Sequence, residues 1–240
     1  MPDQPLTLPA LRERLAKRAE EIFTKFWEQK ILELDLFLEG KPELGQLIEP
    51  EDVSASIRSS TSLPSAETLK VDAGSKRRKT DEDSFSESHP IPNVPSNPLI
   101  LDMAKKVKHE LHIMCETVST VKMFIQLNIP AASTGDNFGV SVQEDIIGEL
   151  SRAEESAFGV FDSIARYHIS RGKLISKVLK YPNVEDYRQA IMEIDEKEII
   201  NVKNTILEIR NNYMILRDLI HKNLDKLKMP RKKFSAASMY

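Results

Sequence analysis

The sequence predicts an all-α fold: an elongated up-down four-helix bundle with one long flexible crossover. Three observations lead there. Apolar residues recur at alternating spacings of three and four along several long stretches. The 240 residues include only 8 Gly, and 11 of the 13 Pro fall at or before Pro130, so only Pro182 and Pro230 can interrupt the C-terminal half. Between the first and second helical stretches, the composition changes to that of a chain without a core.

The first helix is expected over 7–39. Thr7 can act as its N-cap, and Pro9 is tolerated in the first turn. Leu11, Leu15, Ala19, Ile22 and Phe26 form one apolar stripe, and Phe23, Trp27, Ile31, Leu34 and Leu38 a second beside it. Gly40 and Pro42 end the helix. The stretch 50–96 holds 11 Ser, five Pro and a single aromatic residue, Phe85. Its isolated apolar residues bury too little surface to offset an ordering entropy of about 1–2 kcal/mol per residue. It reads as a flexible insert, long enough to suggest a role of its own.

The second helix is expected from about Pro98 to Asn128, where Ala104, Val107, Leu111, Met114, Val118, Val121 and Ile125 keep a strict 3,4 alternation, a coiled-coil-like seam. Pro130 stops it. The third runs from near Val140 to about Lys180, with Val142, Ile146, Leu150, Ala153, Ala157, Phe161 and Ile164 on one face. The fourth spans about Val184–Lys228. Ile199, Val202, Ile206, Ile209, Tyr213, Leu216 and Ile220 form its seam, and Ile200, Leu207 and Met214 a second line at a spacing of seven. Two apolar faces on one helix call for a partner beyond the bundle, such as another protomer. The organisation is therefore 1–49 for the first helix, 50–96 for the insert, 97–229 for the remaining helices and 230–240 for a mobile tail. Helices of this length measure about 45–65 Å at a rise of 1.5 Å per residue.

The formal net charge of −3 gives no global signature of nucleic-acid binding. One cysteine, Cys115, rules out an intrachain disulfide and favours a reducing compartment. No signal-peptide layout opens the chain and no apolar run reaches membrane-spanning length, so a soluble intracellular protein with no membrane partner is expected.

Three segments are candidate sites. The loop 129–140 combines Gly135 and Gly139, which permit unusual backbone angles, with the turn formers Asp136 and Asn137 and the large apolar Phe138. It reads either as an ordinary connecting turn or as a contact device at a bundle end. After Pro230 comes a tail ending in Ser238, Met239 and Tyr240. Composition alone favours a frayed end; the alternative is capture of its terminal carboxylate by a basic pocket. Lys76, Arg77, Arg78 and Lys79 form a compact basic cluster inside the insert, either a solvated charge run or a nuclear-import signal. Catalytic chemistry finds little support. His109 and His112 lack further ligands for a metal, Cys115 sits by an apolar seam, and the run Glu193–Glu198 reads as a solvated helix face. No cofactor is expected.

Several segments together resemble the REG (11S) proteasome activators. They are Ile31-Leu-Glu-Leu-Asp35 with Phe37-Leu38, Thr120-Val-Lys-Met123, Asn137-Phe-Gly-Val-Ser-Val-Gln-Glu144, Lys180-Tyr-Pro-Asn-Val-Glu-Asp-Tyr-Arg188, Glu193–Glu198, Glu208-Ile-Arg-Asn211 and Lys222-Asn223. The resemblance covers both ends and nearly all of 97–240, and the basic cluster looks like the gamma branch. It implies a non-catalytic, ATP-independent subunit of a homo-oligomeric ring, a heptamer, that promotes peptide hydrolysis by opening the gate of the proteasome core particle. It further implies that Gly135, Asp136, Asn137, Phe138 and Gly139 form the activation loop, and that the tail through Ser238, Met239 and Tyr240 docks on the core particle's α-subunit ring. The location implied is the nucleus, with the cytoplasm second, and no nucleic-acid partner. The family loop usually reads Gly-Asn-Asn-Phe-Gly, so Asp136 is a departure: it loses an amide donor and adds a negative charge. Ala131–Thr134 also lack the family's usual Arg and acidic pair. The rival from another class is a helical coiled-coil adaptor or nuclear scaffold.

Overall fold

A computed structural model of the chain describes residues 7–40, 94–132 and 137–231. Its helices are α1 (Leu8–Glu21), which passes through a π-helical turn (Ile22–Phe26) into α2 (Trp27–Gly40), then α3 (Pro98–Leu127), α4 (Phe138–Lys180) and α5 (Glu185–Lys228). No strand occurs among the described residues. α1, the π turn and α2 together occupy the first helical position of an all-α four-helix bundle. No helix among them is long and apolar enough to cross a membrane. The basic cluster, Gly135, Asp136 and the terminal residues Ser238–Tyr240 lie outside the described residues.

Each helix start has a local cause. Thr7 is extended, with φ −91° and ψ 152°, and its hydroxyl accepts from the Ala10 N–H at 3.4 Å. The Asn97 side chain accepts from the Leu99 and Ile100 N–H groups at 3.1 and 3.5 Å, directly ahead of Pro98. The first helical stretch is not continuous as expected. The Trp27 N–H bonds to the Ile22 carbonyl, a span of five, while the Thr24 hydroxyl back-bonds to the Glu20 carbonyl at 2.5 Å. The two expected stripes become one buried face of Ala19, Ile22, Phe23, Trp27, Leu34 and Leu38, and Leu11 is left exposed.

The chain forms two compact units. The first takes Met1–Gln46, Lys106–Asp162 and Lys203–Tyr240. Its core is the seam from Val107 to Ile125 on α3, with Ile146, Leu150, Ala153 and Ala157 on α4 and Ile206 to Ile220 on α5. Trp27 is fully buried, donates through Nε1 to the Thr117 hydroxyl at 3.1 Å, and lies 5.9 Å from the Tyr213 ring. Burial pushes the Tyr213 hydroxyl far above its ordinary range, so it stays neutral. Polar groups also enter this core. Glu110 is fully buried and pairs with Lys30 at 3.1 Å and Lys106 at 2.8 Å, and Glu33 binds the same two lysines.

The second unit takes Leu47–Lys105 and Ser163–Val202. At its centre is Asp195. Its place in a charged run predicts a solvated face, yet it is fully buried. Its Oδ1 accepts from the Tyr167 hydroxyl at 2.8 Å and Arg171 Nε at 2.9 Å, and its Oδ2 accepts from Asn97 Nδ2 at 3.3 Å. Arg171 Nη1 continues to the Pro95 carbonyl at 3.2 Å. The cause is register: Ile191, Asp195, Ile199 and Val202 share the inward seam, so the charge occupies a core position and is matched there. Glu198 is buried as well, and burial pushes its carboxyl up from the usual range. Within the run, exposure is confined to Glu193 and Lys197.

Because Asp195 neutralises Arg171 and holds the Asn97 cap, Asp195→Ala strands a buried guanidinium. It is expected to lower unfolding free energy by about 3–5 kcal/mol, measured by denaturant titration; a loss within about 0.5 kcal/mol, the ordinary scale of a surface change, would contradict the network's role.

Candidate functional site

The flanks of the connection between α3 and α4 and the end of α5 converge within the first unit, and three devices hold them. The first is a helix-end brace. Gln143, fully buried on the first turns of α4, donates through Nε2 to the Asn128 carbonyl at 3.3 Å and the Leu227 carbonyl at 3.0 Å. One amide thus satisfies carbonyls at the C-terminal ends of both α3 and α5, which lack partners within their own helices.

The second device is a backbone-to-backbone contact. A Cβ built on Gly139 would lie 2.1 Å from the Pro230 carbonyl oxygen and 2.7 Å from its carbonyl carbon. Only glycine admits this approach. Gly139 lies in the first turn of α4 rather than in the loop, and its backbone is not in the left-handed region. The expected conformational freedom is therefore not what this position needs; the requirement for glycine is steric.

The third device is Arg231. Its Nη1 donates to the Ala131 carbonyl at 2.8 Å and its Nη2 to Asn137 Oδ1 at 2.9 Å. Asn137 caps α4 with its own carbonyl, which accepts from the Val140 and Ser141 N–H groups at 2.9 and 3.0 Å. Phe138 is 63% exposed, and the Lys226 ammonium from α5 lies 4.8 Å from its ring centroid. Outside this junction, Arg12 on α1 donates to the Leu127 carbonyl.

Of the loop residues singled out in the sequence, Asn137, Phe138 and Gly139 therefore meet at one place, beside Pro230 and Arg231. Sequence reasoning misses Gln143 and Arg231 in this role. Gln143 carries a signal: it sits three residues before Ile146 and seven before Leu150, on their seam. Arg231 carries none, because its partners lie 94 and 100 residues away.

The residues weighed for chemistry lie elsewhere. His109 and His112 are both exposed on α3, and no group of three or more His, Cys, Asp or Glu suited to a metal occurs among the described residues. Cys115 is half-buried, and burial pushes its thiol up, away from the nucleophilic thiolate.

Comparison with known proteins shows the family. The family profile "Proteasome activator PA28, C-terminal" matches residues 93–237. The chain is 38% identical over 244 residues to proteasome activator complex subunit 3 of Gallus gallus, covering 96% of this chain and 94% of the relative. It is 39% identical over 240 residues to the Homo sapiens subunit 3, covering 94% and 92%. The chain belongs to the PA28 proteasome activator family. The crystal structure of the 11S subunit of the Plasmodium falciparum proteasome, PA28, aligns with a TM-score of 0.74 at 34% identity, covering 93% of each chain. A structure of an archaebacterial 20S proteasome–PA26 complex aligns at a TM-score of 0.64 and 15% identity, covering 95% and 98%, and shares the fold. In this PA28 family member, then, the junction is built from both a helix-connecting loop and the approach to the chain's end.

The contact at Gly139 is testable against an internal control. Gly139→Ala forces Pro230 away and is expected to destabilise by about 1–3 kcal/mol. Gly148→Ala, where nothing lies within 4 Å of the added carbon, should stabilise by about 0.5–1 kcal/mol through helix propensity. Equilibrium unfolding measures both; equal effects would dissolve the steric argument.

Proposed function

We propose that this chain is the subunit of a non-catalytic, ATP-independent ring that docks on the proteasome core particle and opens its gate. The observation that supports this most strongly is the similarity to subunit 3 activators over at least 94% of the chain, together with the junction of loop and tail. The coiled-coil adaptor draws no comparable support. In the proposed ring, a homo-heptamer, Met239 and Tyr240 with Ser238 supply affinity for pockets of the α-subunit ring. Each tail binds weakly, and simultaneous engagement multiplies the effect through effective concentration.

The loop Gly135–Gly139 supplies the second function. A gate that exists in closed and open forms shifts only if something binds the open form better. Tail binding that is equal for both forms contributes docking and nothing else. The loop must therefore contact the open form preferentially. Asp136 bears on this step, since the family's usual Asn is absent there; its carboxylate can accept backbone N–H bonds and keep a turn shape. Transport rests on Lys76, Arg77, Arg78 and Lys79, proposed as a nuclear-import signal, with residual cytoplasmic protein.

Two substitutions separate affinity from gating. Removing Met239 and Tyr240 should abolish co-sedimentation with the core particle, whereas Asp136→Asn should leave it unchanged and alter only peptide turnover. Retained co-sedimentation of the truncated ring, or a tenfold change in docking with Asp136→Asn, would break the division of labour. Replacing Lys76–Lys79 by alanine should leave a fluorescently tagged chain cytoplasmic; unaltered nuclear accumulation would dismiss the cluster.

A further inference from the structure

We infer that Arg231 is a positioning residue for gate opening, coupling the docking tail to the activation loop; this rests on the proposed function. One planar guanidinium uses two separate nitrogens to hold Ala131 and Asn137, the two flanks of the loop, at 2.8 and 2.9 Å. Arg231 is also the residue at which the chain leaves α5 and Pro230 for the docking tail, nine residues before Tyr240. A single side chain therefore holds both flanks of the loop from the segment that bears the tail.

Its surroundings make the coupling stiff. Pro230 is seated against Gly139, the second residue of α4. Gln143 ties the last turn of α5 to the end of α3. A tail pulled into a pocket therefore cannot drag Arg231 freely: its displacement loads the two hydrogen bonds to the loop flanks. The chemistry requires arginine. The fork offers two donors at a fixed separation, and a lysine ammonium on a flexible stem can satisfy one acceptor without fixing the other. Arg231 is partly exposed, in contrast to fully buried Gln143, so its removal costs the fold little. That separates a positioning role from a structural one.

The experiment uses full-length rings, latent core particle and a fluorogenic peptide. Titrating the ring yields two numbers: the half-saturating concentration, which reports docking, and the maximal rate, which reports gating. For Arg231→Ala the maximal stimulation should fall at least fivefold, with half-saturation within threefold of the unmodified ring. Assembly mass and unfolding midpoint should not change. Arg231→Lys should recover part of the loss. In an Asn137→Ala background the losses should not multiply, because both substitutions cut the same bridge. Unchanged maximal stimulation by Arg231→Ala would overturn the inference, as would a loss carried wholly in half-saturation, or full recovery with lysine. An unmodified ring that fails to stimulate would overturn the proposed function and this inference together, whereas an unmodified ring that stimulates beside an equally active Arg231→Ala ring removes only the latter.

Discussion

The Pro230 carbonyl stands 2.1 Å from where a side chain at position 139 would begin. Two main chains can come that close only if one carries no Cβ, and the remaining features of the junction depend on that approach. With Pro230 seated on the first turn of α4, the next residue emerges beside the loop, and Arg231 reaches Ala131 and Asn137 with its guanidinium. With the end of α5 held there, the Leu227 carbonyl comes within reach of Gln143, which also takes the Asn128 carbonyl. Backbone acceptors at two helix ends and a loop flank are thus met by side-chain donors. These are groups that would otherwise have to be met by water.

Each unit carries a buried charge network within its apolar packing. In the first, a continuous apolar seam dominates, with Trp27 anchored by a single hydrogen bond to Thr117. Such contacts favour burial but tolerate some sliding. In the second, Asp195 is met by three side chains, and one of these, Asn97, also caps α3. A charge in low-dielectric surroundings has one satisfactory arrangement and many poor ones, so the network fixes where α3 begins relative to residues 167–195. The Lys30–Glu33–Lys106–Glu110 group does the same for α2 against α3.

Periodicity made the apolar part of this fold legible. Every expected seam residue of α3 is buried, as is every one of the seven on α5 from Ile199 to Ile220. The Thr7 cap and the helix stop at Pro130 were equally readable, because their causes are local. The illegible features had distant causes. Asp195 falls on the same register as Ile191 and Ile199, yet a carboxylate in a charged run reads as solvated until Arg171 and Tyr167 are brought beside it. The π turn was hidden because its stripe spacing resembles that of two ordinary helical faces. At the site, the loop's residue types announced a turn, and its flanks gave no sign of Arg231.

The exposed apolar residues explain why a lone subunit would be an incomplete object. Within the first unit, Leu32 and Leu36 are 59% and 67% exposed, one turn apart on α2, and Met214 and Ile215 are 49% and 54% exposed on α5. Met214 belongs to the second apolar line that the sequence showed on that helix. Side chains of this kind normally mark a contact when they recur along one element, and the proposed ring gives them one. Assembly and gating then place different demands on the chain. Lateral contacts can be apolar and forgiving, since they need only close the ring. In the proposed mechanism the loop discriminates between two forms of a partner, and discrimination is lost if the loop adapts to both. A glycine contact, a buried amide and a two-pronged arginine all resist adaptation, and they are concentrated where the proposed mechanism calls for such discrimination.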